Sequence, residues 1–126
     1  MDELGIGRCE QGVVLSDEHG GDQRVVALGR GLQGTCVLYG TRGEQTRDAF
    51  GSAWRVSCVR MDDEGEKGLL RVIRGGPVGY AGLASGLAAY FSHGGAEFSD
   101  LLDLMDARGI RYAYACADEG GVVSRE

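Results

Sequence analysis

The sequence predicts an α+β fold in which a mainly antiparallel sheet is followed by two consecutive helices and one final strand. The first half of the chain contains about five short apolar runs separated by glycine-rich or polar turns, a pattern typical of antiparallel strands. Beyond Pro77 the apolar spacing changes to a helical period. A short alternating run follows the helices. Together these observations predict the α+β class.

Two hairpins are predicted within the N-terminal sheet. The predicted strands are at residues 13–15, 25–28, 35–39, 54–61 and 69–73. The polar stretch 16–22 would connect the first pair of strands, and the acidic stretch 62–68 would connect the last pair. Within 54–61, Arg55 and Ser57 alternate with apolar residues and so share one face. Residues 44–51 are polar and compatible with a short helical turn.

The two helices are predicted at about residues 79–93 and 97–108. Apolar residues with helical spacing in the two segments are Tyr80, Leu83, Ala84, Leu87 and Phe91, then Phe98, Leu101, Leu102 and Met105. Gly109 should end the second helix, with Ile110 reaching back to Met105. The final strand is predicted at about residues 110–116, and the last eight or so residues are expected to fray.

Glycines form a second stripe on the first predicted helix. Gly79, Gly82 and Gly86 fall away from its apolar face. Since a glycine inside a helix costs about 1 kcal/mol relative to alanine, close packing should compensate. We therefore expect this helix to pack against the sheet on one side. The glycine stripe would face the second helix or a partner chain, which could be a second copy of this chain.

The composition is that of a globular protein. A chain of 126 residues is expected to form one domain. Its content of 43% hydrophobic and 25% charged residues is ordinary for a soluble globular protein. No apolar run approaches the ~20 residues of a membrane span. The N-terminus starts acidic and lacks the apolar core of a secretory signal, so a cytoplasmic location without a membrane partner is expected.

The charge balance favours a basic partner. The formal net charge of −6 opposes binding to nucleic acid, which needs a positive field. We expect a protein partner, with acidic side chains as the contact surface. The candidate residues are Asp62, Asp63 and Glu64 in one group, and Asp100, Asp103 and Asp106 in another. The same pattern is also that of solvated surfaces, so both interpretations stay open.

The first glycine segment, Gly29-x-Gly31-x-x-Gly34, lies between two apolar runs. A dinucleotide-binding fingerprint requires a helix after the last glycine, whereas the residues after Gly34 have a strand pattern. The segment resembles the glycine-rich loop of protein kinases, which would imply contact with ATP phosphates. The chain lacks the matching strand lysine and the catalytic-loop motifs, so the resemblance implies no kinase activity. A hairpin connection is predicted.

The second glycine segment follows Arg74 and leads into the first predicted helix. A strand end, glycines and a helix start form the usual geometry of an anion site. The segment resembles the pyrophosphate loop of acyl-CoA acetyltransferases, which would imply a nucleotide or acyl-CoA ligand. The corresponding residues are Arg74, Gly75, Gly76 and Gly79. Pro77 lacks a backbone donor, and two helices rather than one precede the next strand; both depart from that family's pattern.

No constellation of catalytic or metal-binding residues is visible in the sequence. Cys9, Cys36, Cys58 and Cys116 are dispersed and form no close ligand pair, so buried free thiols without a metal or cofactor are predicted. No nucleophile motif accompanies the two histidines. We therefore expect a small acidic non-enzymatic binding protein, such as an inhibitor, an immunity-type protein or a phage-borne factor. The alternative is a small nucleotide- or acyl-CoA-binding enzyme that uses the loop after Arg74.

Overall fold

The described part of the chain contains one six-stranded sheet and four helices. The computed structural model describes residues 10–31, 34–73, 80–92 and 96–125. In chain order the elements are β1 (Glu10–His19), β2 (Asp22–Gly31), β3 (Gly34–Arg42), α1 (Glu44–Phe50), β4 (Trp54–Met61), α2 (Asp63–Ile73), α3 (Tyr80–Ser92), α4 (Phe98–Ala107), β5 (Ala113–Asp118) and β6 (Gly121–Arg125). Each strand pairs antiparallel with the next, in the order β1-β2-β3-β4-β5-β6. The α+β class is confirmed.

The first hairpin has a tighter turn than the sequence predicts. Strands β1 and β2 continue through the stretch 16–22 and pair as far as His19 and Asp22. Only Gly20 and Gly21 form the turn, with φ values of 62° and 92°. Two positive φ values in succession are the requirement of a two-residue hairpin turn, which glycine meets without strain. The polar residues of 16–22 are therefore strand residues, and the long connection predicted there is wrong.

The glycine segment between β2 and β3 is a hairpin connection, as predicted. Gly31 and Gly34 are paired across the two strands. Residues 32 and 33 lie outside the described residues. Strand β3 continues directly from Gly34, so no helix follows the last glycine.

The fifth N-terminal strand predicted at residues 69–73 is wrong, because these residues belong to α2. The acidic stretch before them begins the helix: the Asp62 carboxylate accepts a hydrogen bond from Gly65 N at 2.8 Å. Asp62 O accepts another from Glu66 N at 2.9 Å. Carboxylates in a first helical turn also suit the helix dipole. Among the described residues, four strands rather than five therefore precede α2.

The two later helices agree with the prediction. Helix α4 begins with a capping box, since Glu97 N donates to the Asp100 carboxylate at 2.7 Å. At its end, Ile110 N donates to Met105 O at 3.0 Å across Gly109, as predicted. The last predicted strand begins slightly later, at Ala113. Residues expected to fray instead form β6, which pairs with β5.

Helices α2, α3 and α4 pack on one face of the sheet. The fully buried core on this side includes Val26, Leu28, Val37, Val59, Leu69, Leu83, Leu87, Phe91, Leu101 and Met105. A second buried cluster, consisting of Cys36, Leu38, Cys58 and Ala115, lies on the opposite face. Cys36 and Cys58 are buried in this cluster, and Cys116 is half-buried. Among the described residues, no helix is long and apolar enough to cross a membrane.

The glycine stripe of α3 lies inside this packing. Gly82 and Gly86 are buried, and α3 contacts both α2 and β1. Gly79 lies outside the described residues. Contacts within this chain therefore account for burial of the two described glycines. Association with a second copy through this face stays a prediction.

Candidate binding cleft between α1 and α4

A cleft of about 370 Å³ opens on the helix-bearing face of the sheet, between α1 and the first turns of α4. We call it the α1–α4 cleft. The β1–β2 turn forms part of its rim, and β3, β4 and β5 contribute residues to its lining. The lining residues on which its chemistry depends are Tyr39, Phe50, Arg55, Ser57, Phe98 and Tyr114.

The wall formed by α1 is held in place by a buried carboxylate. Asp22 is 6% exposed and accepts hydrogen bonds from Thr46 N and Thr46 Oγ1, both at 2.7 Å, and from Gln45 N at 3.2 Å. These bonds, led by that of the Thr46 side chain, outweigh burial and lower the pKa of Asp22. Gly43 approaches closely, since a Cβ atom there would lie 2.1 Å from Asp22 Oδ1. The start of β2 therefore fixes the first turn of α1.

Aromatic rings form much of the apolar lining. The ring centroids of Tyr39 and Phe98 are 5.4 Å apart, and those of Phe98 and Tyr114 are 6.4 Å apart. These distances lie within the range of favourable aromatic pairs. Burial raises the pKa of Tyr39, although the neighbouring Arg24 works in the opposite direction. The Tyr39 phenol is therefore neutral at neutral pH.

Arg55 supplies positive charge to this aromatic cleft. Its Nη2 atom donates a hydrogen bond to the Tyr114 hydroxyl at 3.2 Å. Its guanidinium carbon lies 4.1 Å from the centroid of the Phe50 ring, a favourable cation–π distance. Phe50 is 51% exposed, which is unusual for so large an apolar side chain. Phe50 and Tyr114 together hold the guanidinium beside the cleft.

The rim joins α4 to the β1–β2 turn. His19 Nε2 lies 3.6 Å from Glu97 Oε1. This contact gives His19, which had no evident partner in the sequence, a neighbour at the N-cap of α4. Among the described residues, no hydrogen bond links His19 to a serine, threonine or cysteine.

Metal coordination receives no support from the described residues. They contain no group of three or more histidine, cysteine, aspartate or glutamate side chains that could hold an ion. The residues of the second glycine segment, from Arg74 to Gly79, lie outside the described part of the chain. The anion site predicted there therefore stays a prediction.

The six acidic residues predicted to contact a partner divide into two kinds. Asp62, Asp100 and Asp106 have local structural roles: the first two cap helices, and Asp106 accepts a hydrogen bond from the Tyr112 hydroxyl at 2.8 Å. Three others are exposed and accept no such bond from the residues that the structure describes: Asp63, Glu64 and Asp103. Of these, Glu64 lies 3.9 Å from the ammonium of Lys67.

Each acidic group includes or adjoins one residue that lies close to the connecting segment 110–112. A Cβ atom at Gly65, next to the first group, would lie 3.2 Å from Arg111 O. The second group reaches the same segment through the bond between Asp106 and Tyr112. The fold therefore brings both groups near the same stretch of chain, with the exposed Arg111 in its centre.

None of the cleft residues was singled out as functional from the sequence. The usable signal was the alternation in β4, which places Arg55 and Ser57 on one face. That face of β4 is directed to the helices. Two polar side chains are unusual there, because burying a polar group costs free energy unless the group is hydrogen-bonded. The contribution of α1 and α4 could not be foreseen, because it depends on tertiary packing.

Comparisons with protein-family models, curated proteins and solved structures found no match for this chain. A proposal for the function therefore rests on the geometry of the α1–α4 cleft and of the two acidic groups.

Proposed function

We propose that this chain is a non-enzymatic binding protein and that the α1–α4 cleft is its recognition site for an aromatic ligand group. The observation that carries the proposal is the lining itself, in which aromatic rings surround a few polar groups. Small-molecule sites in proteins have this composition, with apolar walls for affinity and few polar groups for orientation. The exposed Phe50 ring is one of the walls.

The size of the cleft limits what it can accept. A volume of about 370 Å³ lies near the lower end of the range of about 300–1,000 Å³ that is usual for ligand pockets. It suits one aromatic group with a small polar substituent and is too small for a dinucleotide or a coenzyme A molecule. Such a group could belong to a small molecule or to the side chain of a partner protein.

A blocking substitution tests this assignment. Ser99 lines the cleft and is exposed near the start of α4, so Ser99→Trp should fill the mouth without disturbing the core. We expect the unsubstituted protein to bind at least one of indole, N-acetyl-L-tryptophan and N-acetyl-L-tryptophanamide, measured by calorimetry and thermal unfolding. A bound ligand at 100 times its Kd adds about 2.7 kcal/mol to the free energy of unfolding.

The matched control is Ser85→Trp. Ser85 is exposed on α3 and is not part of the cleft lining. This variant should bind the same probe as the unsubstituted protein, whereas Ser99→Trp should not. Failure of all three probes to bind, or equal binding by the Ser99→Trp variant, would contradict the proposal.

A second surface supports a basic protein partner. Asp63 and Asp103 are exposed carboxylates in the two acidic groups, and the chain carries a net charge of −6. The carboxylates of Asp100 and Asp103 act together with burial to raise the pKa of Tyr90, which lies on the neighbouring helix α3. This concentration of negative charge would steer a basic partner toward the protein.

A further inference from the structure

Arg55 differs from the other arginines that pack against the helix-bearing side of the sheet. Arg24 forms an ion pair with Asp17, and Arg30 forms one with Glu66. Across residues 10–31, 34–73, 80–92 and 96–125, no carboxylate forms an ion pair with Arg55. Its contacts are instead a hydroxyl and an aromatic ring, on Tyr114 and Phe50. Within those residues, the half-buried guanidinium of Arg55 therefore has no ion-pairing carboxylate.

The carboxylates around Arg55 are engaged elsewhere. Asp22 is saturated by the first turn of α1. Glu97 faces His19 at the rim. Asp118 pairs with Arg55 in strand register, but its carboxylate accepts a hydrogen bond from Gly120 N at 2.8 Å. None of these carboxylates forms an ion pair with the guanidinium, so an anionic ligand in the cleft would be the first to do so.

We propose that the α1–α4 cleft binds an aromatic carboxylate, with the carboxylate on Arg55 and the aromatic group against the rings of the lining. This inference rests on the proposed function, because it names the ligand class of the same site. A guanidinium can donate two parallel hydrogen bonds to a planar carboxylate, and only Nη2 of Arg55 is used by Tyr114. The hydroxyl of Ser57, two residues after Arg55 on β4, is another hydrogen-bond donor in the cleft lining.

Charge favours a carboxylate over a phosphate at this site. Arg55 offers one positive charge, which matches the single charge of a carboxylate. A phosphate monoester carries about two negative charges at neutral pH. The second charge would face Glu97 and Asp22 on the cleft lining and the net charge of −6 on the chain. The same charge argument disfavours nucleoside phosphates.

A pair of probes that differ only in charge tests the inference. N-acetyl-L-tryptophan carries a carboxylate, whereas N-acetyl-L-tryptophanamide is neutral and nearly the same shape. We expect the acid to bind the unsubstituted protein about tenfold more tightly than the amide, because a charged hydrogen bond is stronger than a neutral one. Calorimetry measures both constants. In Arg55→Gln the difference should disappear, and in Arg55→Lys part of it should remain.

The possible results test the carboxylate preference of the ligand separately from the existence of the binding site. Equal affinity for the acid and the amide, with both blocked by Ser99→Trp, would overturn the carboxylate inference and leave the cleft as a binding site. Binding of neither compound would remove the proposed function itself. An acid preference that persists in Arg55→Gln, in a protein whose thermal unfolding is unchanged, would also overturn the inference. Loss of folding in Arg55→Gln would leave Arg55→Lys and the acid–amide pair as the deciding measurements.

The same experiment distinguishes two sources of the aromatic carboxylate. The peptide Gly-Ser-Gly-Trp is measured with a free C-terminal carboxylate and with a C-terminal amide. Binding of the free-acid peptide at least as tight as that of N-acetyl-L-tryptophan supports a protein terminus as the source. Binding of N-acetyl-L-tryptophan alone supports a small molecule. Both results require recognition of the carboxylate by Arg55.

Discussion

Arg24 is the side chain that most directly joins the sheet to the helices. It is only 2% exposed, although it carries a full charge. Its Nε and Nη2 atoms donate to the two carboxylate oxygens of Asp17, at 2.9 and 2.7 Å. Its Nη2 and Nη1 atoms also donate to the carbonyls of Phe91 and Ala96, at 3.0 and 3.2 Å. Because Phe91 O lies in the last turn of α3, Arg24 satisfies a carbonyl that the helix itself leaves unpaired.

Arg24→Met should therefore be strongly destabilising. Methionine has a similar apolar volume, but it cannot donate hydrogen bonds to the Phe91 and Ala96 carbonyls or to the Asp17 carboxylate. We expect a loss of about 2–4 kcal/mol in the free energy of unfolding, below the upper end for a broken buried pair because Asp17 is one-third exposed. Urea denaturation measures it. Arg42→Met, at an exposed position on β3, is the control and should change stability by less than about 0.5 kcal/mol.

At the scale of elements, α2 is attached to the sheet through a nearly buried carboxylate. Glu66 accepts a hydrogen bond from Thr35 Oγ1 at 2.6 Å and forms an ion pair with Arg30. Burial of Glu66 tends to raise its pKa, but the bonds from Thr35 and Arg30 together outweigh it and lower the pKa. The contact explains why α2 lies against β2 and β3 even though its first turn is acidic.

The lowered pKa makes this attachment dependent on pH. Since the unfolded chain binds the proton more readily, Glu66 stabilises the fold above its unfolded pKa of about 4.3, and this contribution is lost as the pH falls. Glu66→Gln should cost about 1–2 kcal/mol at neutral pH, and its difference in unfolding free energy from the unsubstituted protein should shrink as the pH falls below about 4.3. Urea denaturation at each pH measures this. Glu64→Gln, on the exposed side of α2, should show no such trend.

Helix α2 also marks the limit of prediction from the sequence. Strands β3 and β4, the hairpin at Gly34 and the capped end of α4 followed from local patterns, because turn and cap chemistry act over a few residues. The acidic stretch 62–68, which contains Gly65 and Gly68, has the composition of a turn although most of it lies in α2. The segment before β5 packs closely on both glycines, since a Cβ atom at either would lie 3.2 Å from Arg111 O or from the Ile110 side chain. A long-range contact of this kind leaves no local signal.

The candidate site was still less predictable than the fold. The acidic residues are visible as charge runs in the sequence, yet two of them, Asp62 and Asp100, cap helices. The cleft combines residues as distant in sequence as His19 and Tyr114. Only the sheet order and the position of α4 bring them together, so the unpaired state of Arg55 could be recognised only in three dimensions.

At the scale of the whole molecule, the carboxylates behind the net charge of −6 differ, since some are bonded inside the fold and others are exposed to solvent. Asp17 and Glu66 form ion pairs with Arg24 and Arg30, and Asp22 accepts hydrogen bonds from the first turn of α1. The exposed ones, including Asp63 and Asp103, contribute to the field that a partner would experience at a distance. That field makes association with a basic surface faster at low salt and weaker as salt screens it.

This electrostatic surface can be tested by charge reversal with a matched control. The double variant Asp63→Lys, Asp103→Lys changes the formal net charge from −6 to −2, because each substitution adds two positive charges. The control, Glu18→Lys with Glu44→Lys, makes the same change at exposed positions away from both acidic groups. The probe is a fluorescent peptide of eight lysines, and its Kd is measured by anisotropy at two salt concentrations.

We expect the Asp63, Asp103 variant to bind the peptide about tenfold more weakly than the control variant at low salt, since both have the same net charge and only one lacks the acidic groups. The difference in Kd between the two variants should narrow as the ionic strength rises toward about 0.15 M, where the Debye length is about 8 Å. Equal affinity of the two variants would mean that net charge alone attracts the peptide. The acidic groups at Asp63 and Asp103 would then have no role as a docking surface, and recognition by this protein would rest on the α1–α4 cleft.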